Sequence, residues 1–199
     1  MGHDLSLWSV PDAGIIFLQE HPQYTADFFL GRRPTATITE TVGHWSFRKK
    51  EIKVVDVPTP ADWPSAELRS ETTLISRGVL YYLLNGTDEK SEALTNFPHV
   101  GAPGQIQGHA IQLGAVFAGD TYAFLSKYAI QLNEMILAIT AEQVKQRVRD
   151  WLTSHTTSIE QFNRDFDPVL EQVNEDLEGL RKFLDKTCTS RNGLMWAWT

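Results

Sequence analysis

Two neighbouring stretches decide the fold: Asp167-Pro-Val-Leu-Glu-Gln-Val-Asn-Glu-Asp-Leu-Glu-Gly-Leu-Arg-Lys-Phe-Leu-Asp-Lys186, and, a few residues on, Gly193-Leu-Met-Trp-Ala-Trp198. In the first, Val169, Leu170, Val173, Leu177, Leu180, Phe183 and Leu184 recur at three- and four-residue steps, which puts them on one face of a helix. That face has to be buried. The opposite side carries Asp167, Glu171, Glu175 and Glu178 at the same spacing, with Asp176 beside them. Asp167-Pro168 supplies an N-cap and a first-turn proline, so the helix is expected to begin there. The second stretch is a short, wholly apolar run.

Outward from this pair, the chain reads as alternating short strands and helices. Leu5-Ser-Leu-Trp-Ser-Val10 alternates apolar and polar residues, the period of a half-buried strand, and Pro11-Asp12 opens a helix reaching about Glu20. A short helix over Tyr24–Leu30 is expected to stop at Gly31, because Arg33-Pro34 makes continuation costly. Thr35–Val42 and Glu51–Val57 are rich in Thr, Ile and Val and predict a hairpin, with Pro58, Pro60 and Pro64 stiffening the loop around Trp63. Leu74, Ile75, Val79, Leu80, Leu83 and Leu84 return to helical spacing before Asn85-Gly86, and predict a central core helix. The glycine-rich segment from Asn96 to Gly119 predicts a long loop with one strand over Ala110–Phe117. Helices then dominate: Tyr128–Ala138, one opened by a capping box at Thr140–Gln143, and one opened by a second box at Ser158–Gln161.

Length and composition narrow the function classes. A chain of 199 residues can bury a core without metal or disulfide staples. Its formal charge of −7 argues against nucleic acid, which needs clustered Lys and Arg, and favours a basic protein or a small molecule as partner. The two halves are alike, nine Lys/Arg against thirteen Asp/Glu in 1–100 and nine against twelve in 101–199, so there is no basic tail. One cysteine, Cys188, cannot form an internal disulfide, which suits a reducing, cytoplasmic setting. No run approaches the ~20 apolar residues of a membrane helix. Met1-Gly2-His3-Asp4-Leu5-Ser6 matches the loose myristoylation pattern, but no polybasic segment follows, and a first strand accounts for the same residues.

Chemistry-bearing groups are sparse. His99 and His109 flank a glycine-rich loop, yet the spacing fits no metal signature and no further ligands lie near in sequence, so ordinary loop histidines are favoured and no metal or cofactor is expected. Gly101, Gly104 and Gly108 lack the strand, helix and Lys-Ser/Thr of a phosphate loop. Cys188 at a helix C-terminus is expected to have a raised thiol pKa and to be a poor nucleophile. No Gly-x-Ser-x-Gly elbow is present. The carboxylate stripe serves either to solvate a helix face or to steer a basic partner. Trp45 and Trp63 lie on loop-like segments where an exposed indole would mark a contact surface.

The order of elements and several short motifs resemble the YfbM-like family, small bacterial proteins of largely undefined function. The motifs are Met1-Gly2 leading to Val10-Pro11, Tyr82-Leu-Leu-Asn-Gly86, Tyr122-Ala-Phe-Leu-Ser126, Leu180-Arg-x-Phe183, and Leu194-Met-Trp196 as a final strand. Where relatives carry a Trp-His pair in the core helix, this chain has Arg77-Gly78, and its hairpin is longer. The resemblance implies an α+β fold with the first and last strands in one sheet, and transfers no catalytic residue.

These readings converge on one α+β domain spanning 1–199, with a small mixed sheet packed against several helices and a hairpin excursion at 35–57. The expected function is non-catalytic protein binding, an acidic inhibitor of the immunity-protein kind acting on a basic enzyme or toxin domain, through Glu171, Glu175, Glu178 and Trp63. The alternative is a small-molecule-binding protein or enzyme with a pocket near His99, His109 and Tyr122.

Overall fold

The structure, a computed structural model of the chain, describes residues 5–43, 48–63, 70–74, 106, 109–116 and 120–198. The fold is α+β. Its frame is a five-stranded sheet of β1 (Leu5–Val10), β4 (Ser70–Leu74), β5 (Ile111–Ala115), β6 (Asp120–Phe124) and β7 (Gly193–Trp198), in the order β4-β1-β7-β6-β5. Every pairing is antiparallel, so the sheet is not mixed as the sequence suggested. No short helical crossover joins its central strands; β1 meets β7 in register from Leu5↔Trp198 to Val10↔Gly193. The first and last strands are therefore neighbours.

Five helices and a separate two-stranded ribbon complete the described chain: α1 (Asp12–Glu20), α2 (Thr25–Phe29), α3 (Ser126–Leu137), α4 (Ala141–His155), α5 (Ile159–Thr189), and the hairpin of β2 (Thr35–Val42) with β3 (Lys49–Asp56). Both sheet faces are covered. On one, Leu7, Phe124, Leu194 and Trp196 pack against Leu132 and Ile136 of α3, Val148 and Leu152 of α4, and Val173, Leu177, Leu180 and Leu184 of α5. On the other, Trp8, Val10, Leu113, Ala123, Met195 and Ala197 pack against Ile15 and Leu18 of α1 and Phe28 and Phe29 of α2. Alternation along a strand sends successive side chains to opposite faces, so a strand covered on both sides must be apolar throughout. That explains Leu-Met-Trp-Ala in β7, all four fully buried.

Gly193 begins that strand because nothing larger fits. A β-carbon there would overlap the Phe124 carbonyl oxygen and Ile15 Cδ1, and would stand 3.1 Å from Asp12 Oδ1. Gly114 marks a register shift between β5 and β6 and has φ 101°, a conformation L side chains rarely adopt.

The capping boxes hold in part as expected. Thr140 and Gln143 exchange reciprocal hydrogen bonds at the start of α4, and Ser158 Oγ accepts the Gln161 N–H at 3.1 Å at the start of α5. Asp167-Pro168, by contrast, opens no new helix. The two expected helices are one of 31 residues with Pro168 inside it. Phe162 and Phe166 extend the apolar face back past the proline and pack on the same core as Val169 and Leu170. Burying that continuous face outweighs the one backbone hydrogen bond the proline removes, and the exposed ring of Pro168 meets solvent.

Two further expectations shift. Leu74, read as the first residue of a core helix, ends β4, and the rest of that predicted helix lies outside the described residues, as do Trp45 and His99. The strand β6 falls where only the motif Tyr122–Ser126 was noted. Among the described residues, no helix is long and apolar enough to cross a membrane.

Candidate functional site

The acidic stripe faces outward on α5. Glu171, Glu175 and Asp167 are exposed and make no ion pair with a described residue. Glu178 does: its carboxylate lies 2.6 Å from Lys182 Nζ, one turn on. The hydrogen bond from that ammonium, and then its charge, hold the Glu178 carboxyl below the usual carboxylate range. Asp176, beside the stripe, is buried instead and accepts a long 3.4 Å contact from Gln172. Among the described residues, the stripe's exposed carboxylates without an ion pair are thus Asp167, Glu171 and Glu175. The helix presenting them is fixed from behind, since Arg181 donates to the carbonyls of Ile136 (3.3 Å) and Ile139 (2.6 Å) and so satisfies the end of α3.

His109 and Tyr122 stand at the two ends of one aromatic ladder. His109 stacks on Tyr128 at 4.2 Å between ring centroids, Tyr128 leans on Phe124 at 6.1 Å, Phe124 on Trp196 at 5.1 Å, and Trp196 stacks on Tyr122 at 5.7 Å. His109 is exposed and Tyr122 half-buried at the two ends.

Trp63 turns inward. Its ring meets Phe17 at 5.1 Å and Phe28 at 5.6 Å, both edge-to-face, and its indole N–H donates to the Arg32 carbonyl at 2.9 Å. It clamps the proline-rich loop onto α1 and α2 at the base of the hairpin.

No nucleophile assembles at Cys188 or at the Ser154–His155 pair. Burial first, then the negative charges of Asp185 and Glu134, push the Cys188 thiol up, which agrees with the direction expected from its helix-end position. Ser154 Oγ lies 2.9 Å from His155 Nδ1, but the same nitrogen lies 2.8 Å from the Trp151 carbonyl. Ser154 Oγ itself donates to the Trp151 carbonyl at 2.8 Å, so the three groups make one local contact in the last turn of α4. Among the described residues, no group of three or more His, Cys, Asp or Glu is placed to hold a metal ion.

The structure also forms a cleft that no single stretch of sequence announced. It measures about 540 Å³ and lies where the β1–α1 corner, the turn from α5 into β7 and the loop before Pro64 converge. Ser9, Val10, Pro11 and Asp12 line one part, Ser190, Arg191 and Asn192 a second, and Ala61, Asp62 and Trp63 a third, with Phe28 at its base. Asp12 is already occupied. Its two oxygens accept the Ser126 N–H and O–H, each at 2.7 Å, which caps α3 and ties together corners 114 residues apart. Asn192 Nδ2 donates to Ser9 Oγ at 3.1 Å. Arg191 has φ 55°, the one non-glycine residue with positive φ among those described. Its N–H bonds the Cys188 carbonyl at 2.9 Å and the Asn192 N–H bonds Thr187 at 3.0 Å, closing the end of α5 in the left-handed turn that glycine usually makes.

The chain matches no family model, no curated protein and no solved structure.

Proposed function

We propose that this chain is a non-catalytic, cytoplasmic protein-binding module, an acidic inhibitor of the immunity-protein kind that docks on a basic enzyme or toxin domain. The observation that supports it is the outward face of α5, where Asp167, Glu171 and Glu175 stand exposed and unpaired among the described residues on a rigidly seated helix. Aligned carboxylates focus a negative potential that speeds encounter with a basic surface. Glu178 contributes less, being paired with Lys182. Trp63 serves the reading as a brace for the neighbouring loop more than as an anchor. Kinship with the YfbM-like proteins belongs to the same proposal, and the adjacency of β1 and β7 supports it because the resemblance implies both strands in one sheet.

The test is capture from native lysate at low and moderate salt, with the wild-type chain and with a variant carrying Glu171→Lys, Glu175→Lys and Glu178→Lys. Recovery of one stoichiometric basic protein is expected, lost at moderate salt, with an association rate about 10- to 100-fold slower for the reversed variant. Equal capture by the wild-type and reversed chains would sink the reading.

A further inference from the structure

The cleft beside Arg191 carries a pair of opposite charges that do not meet. Arg191 and Asp62 both line it, both are exposed, and neither makes an ion pair or hydrogen bond through its side chain with any described residue. Each sits on a support that is itself fixed. Asp62 precedes Trp63, whose ring is wedged between Phe17 and Phe28 and whose N–H is bonded to Arg32. Arg191 sits in the closed turn that ends α5. Two opposite charges that line one hollow without an ion pair between them leave room for a molecule bearing the complementary pair.

We propose that this cleft binds a small zwitterion, a free α-amino acid or a dipeptide, with its carboxylate on the Arg191 guanidinium and its ammonium on the Asp62 carboxylate. A planar guanidinium matches a carboxylate in a two-point contact that a point charge does not offer. The hydroxyls of Ser9 and Ser190 add donors and acceptors around the backbone of such a ligand, and the half-buried Trp63 offers apolar surface to its side chain. At about 540 Å³ the cleft is far larger than a lone inorganic anion requires and falls in the range of small-molecule sites. Asp12 also lines the cleft, with each carboxylate oxygen already accepting one hydrogen bond from Ser126. Arginine at a left-handed position also costs about 1 kcal/mol or more relative to glycine. Its side chain is therefore carried where the backbone alone would favour none. The site shares no residue with the acidic stripe, and shares only the bracing Trp63 with the inhibitor reading.

The experiment uses the full chain and a panel of the common amino acids and their simple dipeptides, read by ligand-observed NMR and by thermal shift. The best binder is then compared with its N-acetyl and carboxamide forms. Capping either end is expected to weaken binding about tenfold or more, the worth of a charge-assisted contact. Arg191→Gly is expected to fold with an unchanged or higher Tm, since glycine suits φ 55°, and to lose about tenfold or more in affinity. Arg191→Asn, which also tolerates this conformation, provides the same comparison should the glycine variant misfold. Asp62→Asn is expected to erase the difference between the free and N-acetyl ligands. No binding by any panel member below about 10 mM would overturn the proposal, as would full affinity in the Arg191 variants or equal binding of the capped forms.

Discussion

The central strand β7 and the hairpin β2–β3 are built from similar β-forming material and end in opposite surroundings. In β7 both faces are covered, and Leu194, Met195, Trp196 and Ala197 are fully buried. In the hairpin Ala36, Ile38 and Val55 on one face are half-buried, while the other face is open, with Ile52 74% exposed and Val54 69%. Their partners across the ribbon are Thr39 and Thr37, which with Thr35 and Thr41 make one face a row of β-branched polar side chains. An isolated two-stranded ribbon is marginal in water, so this one depends on cross-strand pairs such as Glu40–Lys53 and on anchorage at its base, where the Val57 N–H bonds Pro34 at 2.9 Å. The contrast separates two meanings of β propensity: a preference that fits a packed layer, and one that keeps a projecting ribbon extended.

The largest test of this contrast falls on β7. Trp196→Ala removes a fully buried indole between Phe124 and Tyr122 and is expected to cost about 3–5 kcal/mol in denaturant unfolding. A cost under about 1 kcal/mol would mean the strand is not the packed centre described. The junction between the regions comes next. Trp63→Ala is expected to cost about 2–3 kcal/mol and to raise amide exchange selectively in β2 and β3, because the clamp on their base is lost. Exchange rising equally in β1 and β7 would show the two regions to be one cooperative unit. The smallest effect belongs to the ribbon. Ile52→Thr with Val54→Thr is expected to change stability by no more than about 0.5 kcal/mol, measured by thermal unfolding, since little apolar area leaves water there. A larger loss would reveal that this face is covered in solution.

Elements with a strong local pattern were legible from sequence. Alternation over Leu5–Val10, the Pro11-Asp12 start of α1 and the Thr- and Val-rich hairpin all sit where the residues alone place them. The misses have physical causes. β4 reads Ser-Glu-Thr-Thr-Leu, a polar edge strand whose identity comes from pairing with β1 and not from its own period. Pro168 punctuates α5 locally, yet tertiary burial on both sides of it carries the helix through. The acidic stripe was legible because it lies on one helix, although the pairing of Glu178 with Lys182 shows only in three dimensions as a choice among possible partners. The cleft was illegible. Its walls come from four separate segments, and its one local sign is a non-glycine residue where a helix turns left-handed, which no periodicity exposes.

The place of β7 in the sheet also bears on how the protein is made. Translation delivers β1, β4, β5 and β6 first, and these can form only two fragments, β4-β1 and β6-β5, each with an open edge that β7 will later fill. Until residues 193–198 clear the ribosome, those edges and the apolar faces behind them remain exposed to neighbouring nascent chains and to chaperones. The sheet therefore closes late and over long sequence separation. A ribosome that stalls shortly before Gly193 releases a chain with the five described helices encoded and no way to join the halves of the sheet, a product marked for proteolysis by its own missing seam.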